Sequence, residues 1–193
     1  IFKDVYVDEH LLSYQKERYV QAIEKFISLY GDQEVEIYST PGRSEVCGNH
    51  TDHQHGEVLA AAINLDIIAV VAPTKETIKV LSDDYDIQGV NIKDLEKRDQ
   101  EVESSEGLIR GVCARYQQLG YKIGGFNAYM TSDVLQGSGL SSSAAFEVVV
   151  GTILSGLYNN MSINPVTIAQ VGQYSENVYY GPVCLFSGKS YSY

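Results

Sequence analysis

Cysteine is scarce in this sequence of 193 residues. Cys47, Cys113 and Cys184 lie far apart and have no paired spacing, which argues against a disulfide scaffold and an extracellular location. No apolar stretch approaches the roughly 20 residues that a membrane span needs, and no basic region leads into an apolar run at the N-terminus. These absences predict a water-soluble protein of a reducing cytoplasm, without a membrane partner.

Positive charge is scarce as well. The sequence has 14 basic and 25 acidic side chains, which gives a formal net charge of −11. A field of this sign repels polyanions, so nucleic acid is not an expected partner. If the protein binds a nucleotide, its phosphates must be held by backbone dipoles and a bound cation.

The pattern of apolar residues predicts one α+β domain over residues 1–193. Apolar residues at helical spacing predict a helix over residues 11–30, which Gly31 ends. Alternation of apolar with acidic or polar residues from Val35 onward predicts a short strand, which ends at the turn beginning with Pro41. The charge-rich segment 83–103 is interpreted as a surface loop. The other predicted elements are strands at 67–71, 78–81 and 126–130, and helices at 104–119, 146–157 and from Asn164 onward. The chain begins at Ile1 without an initiator methionine, which suggests a piece of a longer protein.

Residues 133–145 place two glycines and four serines between a predicted strand and a predicted helix. Glycine lets backbone N–H groups approach an anion closely, and the first turn of the following helix offers unpaired donors and a partial positive charge. No lysine or arginine lies between Thr131 and Glu147, so a phosphate here would depend on backbone dipoles and Mg²⁺. The alternatives are tight packing of small residues or a plain polar turn. A serine hydrolase is disfavoured because the G-x-S-x-G elbow is absent.

A second polar segment, residues 41–56, reads PGRSEVCGNHTDHQHG. It contains Cys47, His50, His53 and His55 within nine residues, and thiolate and imidazole are good zinc ligands. Their spacing matches no common zinc motif, however, and no second ligand pair follows. Zinc therefore stays a minor alternative.

Both segments resemble motifs of known kinases. Residues 137–145, GSGLSSSAA, resemble the ATP-binding motif of the GHMP kinases, with Leu135 where that family usually has proline. Residues 41–59 are similar to the galactokinase signature, which reads P-G-R, then G-E-H-T-D-Y, then a glycine and V-L-P. Asn49 stands where the family has glutamate, and His53 where it has tyrosine.

The resemblance implies the α+β N-terminal domain of the GHMP kinase fold, a mixed β-sheet with helices packed on it, without the C-terminal domain. It implies transfer of the γ-phosphoryl group of ATP to the C1 hydroxyl of galactose, with Mg²⁺. Arg43 would stabilise the transition state. The implied sugar-binding residues are Asn49, His50, Thr51 and Asp52. The implied ATP-binding residues are Gly137, Ser138, Gly139, Leu140, Ser141, Ser142 and Ser143.

The segment from Ser175 to Gly181 resembles the family segment whose glutamate binds Mg²⁺, which makes Ser143 and Glu176 the implied metal ligands. A solvated glutamate at a helix end is the alternative interpretation of Glu176. We expect Arg43 and the sugar-binding residues to converge on one polar cleft that faces residues 137–143.

The aspartate that serves the family as general base is not found, since no aspartate follows Asp133. The activity of this chain by itself is therefore doubtful. Two other functions stay open. A kinase for an amino sugar or a pentose would account for Asn49, and a galactose- and ATP-binding sensor without turnover would account for the missing base.

Overall fold

The computed structural model describes residues 2–6, 8–47, 59–82, 86–134 and 142–181. The N-terminal part is helical. A short helix α1 (Phe2–Val5) and a 3-10 turn (Glu9–Leu11) precede the long helix α2 (Leu12–Tyr30). As predicted, α2 ends at Gly31, whose φ of 83° lies in a region that favours glycine.

A mixed sheet of five strands forms the centre of the fold. The strands are β1 (Glu36–Cys47), β2 (Leu59–Thr74), β3 (Thr77–Ser82), β4 (Asp86–Asn91) and β5 (Gly125–Ser132). Their order across the sheet is β1-β2-β5-β3-β4. Three of the pairings are antiparallel, and β3 pairs with β5 in parallel.

One sequence prediction for a strand and one for a loop are wrong. The first strand does not end at Pro41 but continues to Cys47. Proline is tolerated there because β1 is an edge strand, where a missing N–H donor need not break a ladder on both sides. Segment 83–103 is not wholly a loop, since it contains β4 and a 3-10 turn (Asp99–Glu101). Ile87 and Val90 of β4 are buried in the apolar core.

Three further helices follow the predicted order. Helix α3 (Ser105–Gln118) begins after Ser104, whose hydroxyl accepts a hydrogen bond from the N–H of Gly107. Leu119, the last residue of the predicted helix, is the C-cap of α3 and is 43% exposed. Helix α4 (Ser142–Asn159) is longer than predicted. Helix α5 (Pro165–Ser175) has the predicted Asn164 cap and leads into a π-helical turn (Glu176–Tyr180).

The two faces of the sheet carry separate apolar cores. On one face, α2 packs Ala22 and Phe26 against Ile68, Val70 and Tyr129. On the other face, α3, α4 and α5 cover the larger core, to which β5 contributes alternate residues. This alternation follows from the two-residue period of a strand. In the described ranges, no helix is long and apolar enough to cross a membrane.

Candidate functional site

Arg43 lies within β1 and is 9% exposed. The β1–β2 register shifts after Pro41, so that Gly42 lies opposite residues 63–65 of β2. The guanidinium Nη1 of Arg43 is 3.9 Å from the Oε2 atom of Glu45. Since β5 pairs with β2 only from Ile67 onward, Arg43 lies in a two-stranded extension of the sheet. A strand therefore positions this buried cation, which gives it a better defined place than a loop would.

The predicted sugar-binding residues lie in segment 48–58, outside the described residues. The residues on either side of that segment are described, and Cys47 pairs with Leu59. These two flanking residues therefore lie together, a few residues beyond Arg43 along the same hairpin. It stays a prediction that the sugar-binding residues meet Arg43 in one cleft. These residues are Asn49, His50, Thr51 and Asp52.

The zinc alternative is also untested, since three of its four residues belong to segment 48–58. Among the residues that the structure does describe, no group of three or more histidine, cysteine, aspartate or glutamate side chains could hold a metal ion. Cys47 is exposed and free.

The glycine- and serine-rich segment joins a strand to a helix, as predicted. β5 ends at Ser132, whose hydroxyl accepts a hydrogen bond from the N–H of Val134 at 3.1 Å. Residues 135–141, with five of the seven predicted ATP-binding residues, lie outside the described ranges. Ser142 and Ser143 are the first two residues of α4, whose first turn carries no acidic side chain. Such a helix start favours an anion electrostatically.

Helices α4 and α5 mesh at regular positions. A methyl group built on Gly151 would lie 2.7 Å from Cγ2 of Ile168, and one built on Gly172 would lie 2.9 Å from Oε2 of Glu147. Successive contacts are thus four residues apart on each helix and run in opposite directions along the two helices. This spacing is one helical turn, which places both contacts on a single pair of facing helix surfaces.

One further turn in the same direction reaches Ser143 on α4 and Glu176 at the end of α5. Both predicted metal ligands therefore lie at the same end of this helix pair. Tyr180 belongs to the same region: burial raises the pKa of its hydroxyl, and the negative charges of Glu103, Glu176 and Glu147 raise it further. Hydroxyl and carboxylate oxygens are suitable ligands for Mg²⁺, so the residues at this end fit such an ion.

The structure also contains charged residues that the sequence analysis missed. Glu147 is 3% exposed on α4, four residues after Ser143. Arg18 of α2 is 6% exposed and forms ion pairs with Asp66 and Asp133. The sequence does carry a signal for both Glu147 and Arg18. Each is a charged residue on an otherwise apolar helix face, where a charge must have a buried partner.

Comparisons with known proteins identify the family. The galactokinase galactose-binding signature matches residues 24–73, and the GHMP kinases N terminal domain matches residues 107–188. The chain is 33% identical to a galactokinase from Lactococcus lactis over 164 residues, which are 82% of the chain and 40% of that protein.

Solved structures give the same result for the fold. A crystal structure of Lactococcus lactis galactokinase complexed with galactose superimposes with a TM-score of 0.77 at 29% identity, over 87% of this chain and 45% of that one. Methanococcus jannaschii mevalonate kinase has a TM-score of 0.64 at 19% identity, over 82% of this chain and 51% of that one. The chain thus spans about half the length of the proteins that it matches. It belongs to the GHMP kinase superfamily, in which it corresponds to the N-terminal portion of a galactokinase.

Proposed function

We propose that the protein to which this chain belongs transfers the γ-phosphoryl group of ATP to the C1 hydroxyl of galactose. One observation carries the proposal. The galactose-binding signature and the GHMP kinase N-terminal domain occur in a single chain. The fold of this chain resembles that of a galactokinase solved with galactose.

The sugar would be bound by segment 48–58. His50 and Asp52 can donate and accept hydrogen bonds to neighbouring sugar hydroxyls, and Asn49 and Thr51 add further polar groups. A site built to hydrogen-bond a hydroxyl discriminates strongly against analogues that lack it, because its own polar groups would then stay unpaired. The hairpin formed by β1 and β2 supports both ends of this segment.

The nucleotide would be bound by residues 137–143 and the start of α4. The first-turn N–H groups of α4 would face the phosphates, in keeping with a chain whose net charge is −11. Ser143 and Glu176 would hold Mg²⁺. When bound, this ion neutralises negative charge on the phosphate oxygens.

Arg43 would act on the transferred phosphoryl group. Its guanidinium presents donors in a planar fork that matches phosphate oxygens. Burial strengthens its electrostatic effect on charge that develops during transfer. The aspartate that the resemblance implies as general base is not among the residues that follow Asp133 in this chain.

A kinase for a related sugar is the second candidate, and Asn49 favours it. An amide in place of the family glutamate keeps a hydrogen-bonding group but removes a negative charge. The change would alter recognition at one sugar hydroxyl, or at an amino or acetamido group in its place.

The test uses the full-length protein with Mg²⁺ and ATP, purified free of host kinases. ADP release is measured with galactose, N-acetylgalactosamine and arabinose, and binding of each sugar is measured by calorimetry. We expect the highest kcat/KM with galactose. A higher kcat/KM with another sugar would make that sugar, and not galactose, the substrate. Binding of galactose and ATP without ADP release would show a sensor and contradict the proposal.

A further inference from the structure

A buried ion cluster lies at the end of β5 where the chain leaves the sheet. Nη1 of Arg18 is 2.6 Å from Oδ1 of Asp66 and 3.0 Å from Oδ2 of Asp133. Its Nη2 donates to the carbonyl oxygens of Asp66 and Thr131, at 2.9 Å each. One guanidinium group thus joins α2 to both β2 and the end of β5.

Helix α2 holds the carboxylate of Asp133 from three positions. The hydroxyl of Tyr14 donates to its Oδ1 at 2.9 Å, and Nε2 of Gln15 donates to its Oδ2 at 3.3 Å. Arg18 supplies the third contact. The backbone N–H of Asp133 also donates to the carbonyl oxygen of Asp66 at 3.0 Å. Both the side chain and the backbone of Asp133 are therefore fixed.

This arrangement is costly if its only purpose is stability. Taking Arg18 and Asp66 out of water, with the side chain of Asp133 left 17% exposed, carries a desolvation penalty that ion pairing offsets only in part. In the described residues, Nε of Arg18 has no hydrogen-bond partner, so the cluster is not fully satisfied. Apolar side chains of similar volume would often stabilise a helix on a sheet at least as well. What the charged groups add is a defined direction and distance.

The position that they define is next to the predicted nucleotide segment. Asp133 is two residues before residue 135, where segment 135–141 begins, and that segment ends at the start of α4. Helix α2 packs on the face of the sheet opposite the large core that contains α4. The two attachment points of the segment are therefore fixed independently: α4 holds one, and the cluster holds the other.

We propose that Arg18 is a positioning residue for ATP binding, which acts through Asp133 by fixing the point where β5 leads into the nucleotide segment. This inference rests on the proposed function, because it requires that residues 137–143 bind ATP. Tyr14 assists through the same carboxylate. Ser39, whose hydroxyl donates to Asp66, contacts the cluster without contacting Asp133 and has no such role.

The experiment compares four variants of the full-length protein: Arg18→Lys, Arg18→Met, Tyr14→Phe and Ser39→Ala. Dissociation constants for a non-hydrolysable ATP analogue and for galactose are measured separately by calorimetry, beside the free energy of unfolding in urea. Tyr14→Phe guards against failure to fold, since Tyr14 is 50% exposed and the variant removes only a hydroxyl.

We expect Arg18→Met to weaken binding of the ATP analogue by about tenfold, which corresponds to the loss of a hydrogen-bonded charge. Arg18→Lys should recover part of this loss, and Tyr14→Phe should weaken binding by about threefold. Galactose affinity should change less than about twofold in all of them. Ser39→Ala should lower the free energy of unfolding and leave both affinities unchanged.

Two outcomes would overturn the inference. If the ATP analogue and galactose lose affinity together, in proportion to lost stability, then Arg18 supports the fold alone. If ATP affinity is unchanged in Tyr14→Phe and in a folded Arg18 variant, the cluster does not position the nucleotide segment. Failure of the unmutated protein to bind ATP would instead refute the proposed function, and the inference with it.

Discussion

Glu147 of α4 lies directly against Gly172 of α5. A methyl group on Gly172 would be 2.9 Å from Oε2 and 3.2 Å from Cβ of this glutamate. The glycine therefore lets the two helices approach closely with a carboxylate between them. Ser143 and Glu176 lie one turn beyond this contact, so a wider separation of the helices would be expected to move the two proposed metal ligands apart.

The substitution Gly172→Val should separate α4 from α5. Glu147 is 3% exposed and has little room to move, so overpacking should lower the free energy of unfolding by about 1–3 kcal/mol. Urea unfolding followed by circular dichroism measures this change. Gln170→Val is the matched control, because it places the same side chain at an exposed position of α5. Equal losses in the two variants would show that packing against Glu147 is unimportant.

The substitution Glu176→Ala should weaken the response to Mg²⁺ in the full-length protein. Loss of a proposed ligand should raise the Mg²⁺ concentration for half-maximal activity by about tenfold or more. Glu24→Ala removes the same charge at an exposed position of α2 and should leave this Mg²⁺ concentration unchanged. The assay is ADP release over a Mg²⁺ titration at fixed ATP. An unchanged titration in Glu176→Ala would assign the metal to other residues.

Arg110 of α3 depends on Glu101 for its charge partner. Arg110 is 2% exposed, and its Nε and Nη2 atoms donate to the two carboxylate oxygens of Glu101 at 2.7 and 2.8 Å. The main-chain carbonyl of Asp94 accepts from Nη1. Glu101→Gln leaves a buried guanidinium without its main anionic partner, which should cost about 3 kcal/mol in the free energy of unfolding. Glu106→Gln is the control, because it removes the same charge from α3 and leaves the pair of Arg110 with Glu101 in place.

The same pair should contribute to acid sensitivity. The hydrogen bond from Arg110 holds the pKa of Glu101 below its ordinary value of about 4.5. Because the folded-state pKa is the lower one, the contribution of Glu101 is fully present above the ordinary value. It is lost as the pH falls through the folded-state pKa. Unfolding free energies from pH 6 to pH 3 should therefore fall less steeply in Glu101→Gln than in the unmodified protein. Parallel curves would contradict the assignment.

Cys47 and Cys113 should differ in reactivity. Burial raises the pKa of the Cys113 thiol to about 12, whereas Cys47 is exposed at the end of β1. Since the thiolate is the reactive form, a maleimide or disulfide reagent at pH 8 should modify Cys47 in the native protein. Cys113 should react only after unfolding. Peptide mass mapping identifies the modified residue, and rapid native labelling of Cys113 would contradict the buried position.

Local chemistry explains why most helices could be predicted from the sequence. Gly31, Ser104 and Asn164 mark helix ends through their own backbone or side-chain preferences, and each does so in the structure. Strand β4 was missed because charged neighbours obscure the apolar positions Ile87 and Val90. Both residues become core only when β3 pairs beside them.

The strand and the helix on either side of the nucleotide segment could be predicted for the same reason. The motif is contiguous in sequence, so β5 before it and α4 after it follow from local patterns. The cluster of Arg18 with Asp66 and Asp133 is different, since its members are 48 and 115 residues apart along the chain. Such partners are chosen by the packing of α2 on the sheet, which no local pattern contains.

The measurement that tests the account most directly is identification of the product by ³¹P and ¹H NMR. The full-length protein is incubated with galactose, ATP and Mg²⁺, and the 193-residue chain alone serves as the comparison. We predict galactose 1-phosphate from the full-length protein and negligible product from the chain alone, which has no aspartate after Asp133. Phosphorylation at another hydroxyl, or no phosphorylated galactose from a folded full-length protein that binds ATP, would contradict the account.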